Sequence, residues 1–113
     1  MKISILTIGN ELTSGRIADT NTSYLAREFH VRGWDVPVSM AVGDYAEAIG
    51  EALDFILERS DAVVVTGGLG PTADDITTEC IAKYSGLPLY LDEAVLQVIK
   101  DRFASRGLRW TDN

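Results

Sequence analysis

Soft metal donors are nearly absent from this chain: Cys80 is the only cysteine and His30 the only histidine among 113 residues. One cysteine excludes an internal disulfide. The pair is also too few for a structural zinc site, so any bound metal would rest on oxygen ligands, which suits magnesium, manganese or calcium. No serine, histidine and acid set stands at usable spacing for nucleophilic catalysis. Basic residues are scarce as well, with 10 Lys and Arg against 17 Asp and Glu and a net charge of −7. Their one local concentration is Lys100, Arg102, Arg106 and Arg109. Nucleic acid and anionic membranes are therefore poor candidate partners. Long apolar runs are missing too. The opening MKISILTI is a short run behind one lysine without a small-residue cleavage site, and nothing approaches the ~20 residues of a membrane span. The reading is of a cytoplasmic protein.

What is present is ordinary globular material, 46% apolar and 24% charged, with no repeat or low-complexity tract, in a single domain over 1–113. KISILTI at 2–8 reads as a buried strand ending at Gly9. The segment after it is a polar loop, and then Asp19 or Thr20 caps a helix with Leu25 and Phe29 on one face and Gly33 as its stop. DVPVSMAV at 35–42 reads as a second strand, with Pro37 placing its start at an edge or outside the ladder. A helix over 45–60 repeats Ile49, Leu53, Ile56 and Leu57 at the spacing of one buried face. AVVVT at 62–66 is the third strand. Two more helices follow, one from Asp75 stopped by Gly86 and carrying Cys80 on its buried side, the other capped by Asp92 and stopped by Gly107. Strands alternating with helices predict an α/β fold with a mainly parallel sheet between helical layers. Three strands make a small sheet, so either LPLYL at 87–91 adds one or the chain is part of a longer domain.

Ligands in such sheets bind beyond the carboxyl ends of the strands, and the polar signals of this sequence gather there. Gly9, Asn10 and Glu11 follow the first strand, Gly43 and Asp44 the second, and Thr66, Gly67, Gly68 and Gly70 the third. TGGLGPT can be a sharp strand-to-helix turn and nothing more. It can equally bring the amides of Gly67, Gly68 and Gly70 and a helix N-terminus against phosphate oxygens. It is neither a Walker loop nor a dinucleotide fingerprint. Asp74 and Asp75 fit a helix cap, or a divalent cation bridging carboxylate and phosphate. Asp44 can start a helix, Glu11 can be a solvated loop acid, and Asp19 with Asn21 fits a cap.

Together GNELTSGRIADTN, the VGD at 42–44 and TGGLGPTADDITTE resemble the N-terminal domain of the CinA (competence/damage-inducible protein A) family, within the MoaB/MogA-like molybdopterin-binding superfamily. The resemblance spans Gly9 to Asn113, with Thr13 in place of a second leucine and Cys80 in place of alanine. It implies a three-layer α/β/α domain of MogA-like fold holding a phosphorylated, nucleotide-like or pterin-like small molecule, with a homo-oligomer possible. It also implies metal-dependent ADP-ribose pyrophosphatase activity, a hydrolase function. The family's deamidase activity belongs to a separate C-terminal domain and is not carried over. Asp44 and Asp75 match functional aspartates of the molybdopterin-handling relatives, Asp75 through the string that includes Thr77. The site expected from the strand-end loops has Gly9, Asn10, Thr66, Gly67, Gly68, Gly70, Thr72 and Thr77 around the ligand and its diphosphate. Asp74 or Asp75 would hold a divalent cation, and Asp44, Asp75 and Glu11 would serve as catalytic acids or bases. The alternative is a pterin-binding module without hydrolysis, or an inactive scaffold. Family members continue past the segment matching Trp110 to Asn113, so the domain is expected to lack its C-terminal part.

Overall fold

A computed structural model describes residues 1–110. The elements are β1 (Ile3–Ile8), α1 (Asn10–Thr13), α2 (Thr20–Val31), β2 (Ser39–Val42), α3 (Ala46–Leu57), β3 (Ala62–Thr66), α4 (Thr77–Ser85) and α5 (Glu93–Ser105). The three strands form one parallel sheet in the order β2-β1-β3. Central β1 is buried along its whole length, as expected of a strand covered on both faces.

Alternation along β1 divides the core in two. Ile3 and Ile5 face α2 and meet Phe29, with Leu25, Trp34 and Val64 around them. Leu6 and Ile8 face the other way, onto Ile49, Leu53 and Ile56 of α3, with Cys80 and Ile81 of α4 against the same cluster. Helices thus cover both faces, giving the α/β/α layering expected of the sequence. Each fully buried Leu or Ile stabilises the fold by about 1.5–3 kcal/mol of transfer free energy, so these clusters outweigh any single polar contact.

Ser4 is the polar exception on the α3 side. Its hydroxyl is buried, pairs with the Ser60 hydroxyl, and accepts the amide of Val38 at 3.2 Å. That bond explains why β2 is shorter than the expected 35–42. Pro37 has no N–H to donate, Val38 gives its own to Ser4, and the ladder begins only at Ser39, with an isolated bridge between Lys2 and Asp35.

Other expectations change as well: Leu57, expected on the buried face of α3, is exposed. The loop after β1 contains a short helix, α1, which lacks the apolar periodicity that would announce it. Helix α4 begins at Thr77 rather than Asp75, with Ile76 at its N-cap and no side-chain cap. LPLYL forms no strand; Leu87, Leu89, Tyr90 and Leu91 are exposed, and α5 beyond them buries no residue. The Asp92 cap is as expected, with its carboxylate accepting the Val95 amide at 3.0 Å. No helix of the described residues is long and apolar enough to cross a membrane.

Candidate functional site

Because the sheet is parallel, the loops after β1, β2 and β3 leave from one edge. The chain after β1 turns toward the α2 face, whereas the chain after β3 turns toward the α3 and α4 face. The crevice between β1 and β3 is therefore the topological switch point of the sheet.

Gly67 and Gly68 turn the chain at the end of β3 with φ of +88° and +65°. A side chain on Gly67 would collide with the backbone carbonyl of Ile8, and one on Gly68 with the Thr77 hydroxyl. Thr77, 2% exposed, donates its hydroxyl to the Gly67 carbonyl at 2.7 Å and its amide to the Gly68 carbonyl at 3.3 Å. Its hydroxyl proton is thereby committed to holding the turn. Among the described residues no acceptor takes the N–H of Gly68 or Leu69. The result is a pair of backbone donors in the turn after β3, tied to the start of α4 by the Thr77 bonds.

Asp75 closes the far side of the turn. Its Oδ2 accepts the Thr72 hydroxyl at 2.7 Å and the Thr72 amide at 3.1 Å, while its own amide donates to the Thr72 carbonyl at 3.1 Å. The Thr72 hydroxyl, with its amide and that of Gly70 behind it, holds the Asp75 carboxyl below its ordinary value. This closed ring is also why α4 starts late: the Asp75 carboxylate faces back along the chain instead of capping the helix. A side chain on Gly70 would lie 2.7 Å from Asp75 Oδ2. Asp74 is exposed beside it.

Across the crevice Asp44 does not cap α3, whose N-cap is Tyr45 without a side-chain bond. Instead Asn10 and Asp44 exchange two bonds at 3.1 Å each, Asn10 N–H to Asp44 Oδ2 and Asp44 N–H to Asn10 Oδ1. Gly43 leaves room for that exchange, since a side chain there would sit 2.5 Å from Asn10 Oδ1. Gly9 does the same for Glu11, whose carboxylate folds over it.

At the switch point lies a cleft of about 230 Å³ with polar walls from Thr7, Glu11, Asp19, Asn21 and Thr66, and apolar walls from Leu12, Ile17 and Ala18. Parallel register sets Thr7 beside Thr66, so both hydroxyls project to the α2 side. Thr7 bonds the Thr22 hydroxyl at 2.9 Å. Asp19 caps α2, accepting the Thr22 amide at 3.1 Å and hydroxyl at 2.5 Å. Burial opposes the charged form of Asp19, but these two bonds and one from Thr7 outweigh it and leave the carboxyl below its ordinary value. Thr66 Oγ1 is buried and has no partner among the described residues.

A second hollow of about 360 Å³ lies between β3, α4 and Leu87 to Leu89. No charged residue lines it, so it is no seat for a phosphate. The described residues contain no group of three or more His, Cys, Asp or Glu side chains able to hold a metal. The candidate carboxylates are thus distributed: Glu11 in the cleft, Asp44 bound to Asn10, Asp74 and Asp75 at the glycine turn. Sequence reasoning placed Asp19 as a cap, which it is, but missed that it and Thr7 also wall the cleft. The signal was a threonine in each of two strands otherwise dense in aliphatic residues.

The fold is thus that of an open parallel α/β domain with a glycine turn and a polar cleft at its switch point. The chain belongs to the family described as "Probable molybdopterin binding domain", whose model matches residues 4–110. A CinA-like protein of Syntrophus aciditrophicus is 58% identical over 110 residues, which are 97% of this chain and 26% of that protein. The chain therefore spans about a quarter of the length of this curated relative. Among solved structures, CinA from Thermoplasma acidophilum, described as of unknown function, superposes with a TM-score of 0.84 at 38% identity, covering 98% of this chain and 64% of that one. The tungsten cofactor synthesizing protein MoaB from Pyrococcus furiosus superposes with a TM-score of 0.68 at 26% identity, covering 73% and 51%. The CinA-like, MoaB/MogA-type membership expected from the sequence motifs is thereby established.

Proposed function

We propose that this domain binds a phosphorylated pterin-like or nucleotide-like small molecule across the carboxyl edge of its sheet, phosphate at the glycine turn and ring system toward the cleft. The observation that carries the reading is the pair of unpartnered amides of Gly68 and Leu69, fixed by Thr77 and by the close approach of Gly67 to β1. Successive backbone donors in a glycine turn can form a concave anion seat. Family membership and the likeness to a cofactor-synthesizing MoaB support a binding module first of all. Asn10 and Asp44 would brace the seat from the β2 side.

Hydrolysis of an ADP-ribose-type pyrophosphate is the finer reading, supported by Asp75, which its Thr72 bonds keep ionised beside Asp74. Two neighbouring carboxylates would repel a diphosphate unless a cation lay between them. No ready cage of three carboxylates exists among the described residues. One or two carboxylates completed by phosphate oxygens and water suit magnesium better than an all-protein cage, so the ion would arrive with the ligand. It would supply charge neutralisation, with Asp44 or Glu11 left to position water.

Binding to the folded state raises the melting temperature. Thermal unfolding with ADP-ribose, with and without magnesium, is expected to show a cation-dependent rise that Asp75→Asn abolishes. A magnesium-independent rise unaffected by Asp75→Asn would leave binding without the metal reading. No rise with any phosphorylated probe would remove the anion seat itself.

A further inference from the structure

We infer that α5 is an interface helix: its face carrying Val95, Ile99, Arg102 and Arg106 lies along the acidic outer face of α3 in a second copy of this chain, each copy giving one helix and receiving the other. The inference concerns assembly and stands whether or not the domain binds a phosphorylated ligand.

On its inner side α5 is held to its own chain. Leu96, Lys100 and Phe103 are half-buried there, with Trp110 against the Phe103 ring and the Lys100 ammonium. Residues three and four apart line one face of a helix, so Val95, Ile99, Arg102 and Arg106 form a second stripe beside the first, and all four are exposed. The helix buries no residue. Neither arginine side chain has an ion pair or hydrogen bond among the described residues. Such a face is complemented by carboxylates set beside apolar surface.

Helix α3 presents that combination. Glu47, Glu51, Asp54 and Glu58 recur at the same spacing of i, i+4, i+7 and i+11, on the side opposite buried Ile49, Leu53 and Ile56. Asp54 accepts the Tyr84 hydroxyl and Glu58 meets Arg59, but Glu47 and Glu51 have no side-chain partner among the described residues. Beside Glu51, Met40, Val42, Ala48, Ala52 and Phe55 wall an open hollow of about 280 Å³, which offers cover to Val95 and Ile99 of the other copy. The two complementary faces belong to one chain and make no ion pair within it, which favours a second copy over a foreign partner. A net charge of −7 disfavours anionic membrane or nucleic acid as the occupant. Exposed ion pairs are individually weak. A two-fold arrangement uses the helix pair twice, toward the ~800 Å² per partner of a standard interface.

Sedimentation velocity tests this. The parent is expected to be a dimer whose dissociation constant rises about tenfold or more between ~50 and ~500 mM salt, as screening shortens the reach of exposed charges. Arg102→Glu with Arg106→Glu, and separately Glu47→Lys with Glu51→Lys, should each give a monomer with the parental circular dichroism. Mixed in equal amounts the two should associate, because each reversed face then meets its complement. Should a reversal melt early, the neutral pairs Arg102→Gln with Arg106→Gln and Glu47→Gln with Glu51→Gln carry the comparison, each expected to weaken the dimer by about tenfold. A monomeric parent, whether or not its α5 then takes anionic vesicles, would overturn the inference. So would a dimer indifferent to these substitutions, or folded reversal variants that stay apart on mixing.

Discussion

Replacing Gly67 by alanine should be among the most damaging single-methyl changes this domain can suffer. At φ +88° an alanine adopts a left-handed conformation, which costs about 1–2 kcal/mol for an ordinary residue. The new Cβ also meets the carbonyl of Ile8, which is backbone at the end of a fully buried strand and cannot rotate away. Relief requires β1 and β3 to part at Thr7 and Thr66, at about 0.5–1.5 kcal/mol for each ladder bond strained. The sum is roughly 2–4 kcal/mol. Since ~1 kcal/mol moves the midpoint by about 4 °C in a domain of this length, the expected fall is about 8–16 °C. Gly33→Ala is the matched control, at φ +75° with nothing within 4 Å of the added carbon. It bears the conformational cost alone, and both variants gain equally from a stiffer unfolded chain. Thermal and urea unfolding of the two should place Gly67→Ala well below Gly33→Ala. Equal stabilities would refute the close approach on which the rigidity of the turn depends.

Thr66→Val replaces an unpartnered buried hydroxyl by a methyl, so its melting temperature is expected to equal or exceed that of the parent, and a clear fall would mean that the hydroxyl has a partner. Asn10→Ala and Asp44→Ala should each destabilise modestly, with a double-mutant coupling of about 0.5–1.5 kcal/mol from urea unfolding; strict additivity would deny the exchange between the two loops. Asp19 has a folded-state carboxyl below its ordinary 3.8, so its contribution is complete above that value and is lost as pH falls through the lower folded value. Unfolding followed from pH 7 downward should therefore weaken in that acidic window, and Asp19→Asn should flatten the Asp19 share of the fall; loss of that share near neutrality would contradict the assignment.

The layers of the fold were legible because aliphatic periodicity reports burial directly. β1 and α3 differ in period, and Ile5, Leu6, Ile49 and Ile56 are all inaccessible. Boundaries were less legible where a side chain competes with the backbone for a bond. Ser4 takes the Val38 amide and delays β2, and Thr72 takes the Asp75 carboxylate and delays α4. The glycine turn could be found in sequence because its residues are contiguous. The cleft could not, because Thr7, Asp19 and Thr66 meet only once parallel register and the path of the chain between β1 and α2 bring them together. Asp44 shows the same limit: its neighbours suggested a helix start, while its actual partner is Asn10, 34 positions earlier.

The most direct test of the central claim is amide-resolved NMR of the domain titrated with ADP-ribose and magnesium. The N–H signals of Gly68 and Leu69 are expected to move first and furthest, with Thr77 following and the residues of α5 unmoved. Saturable binding that leaves Gly68 and Leu69 in place would contradict the assignment of the phosphate to the glycine turn.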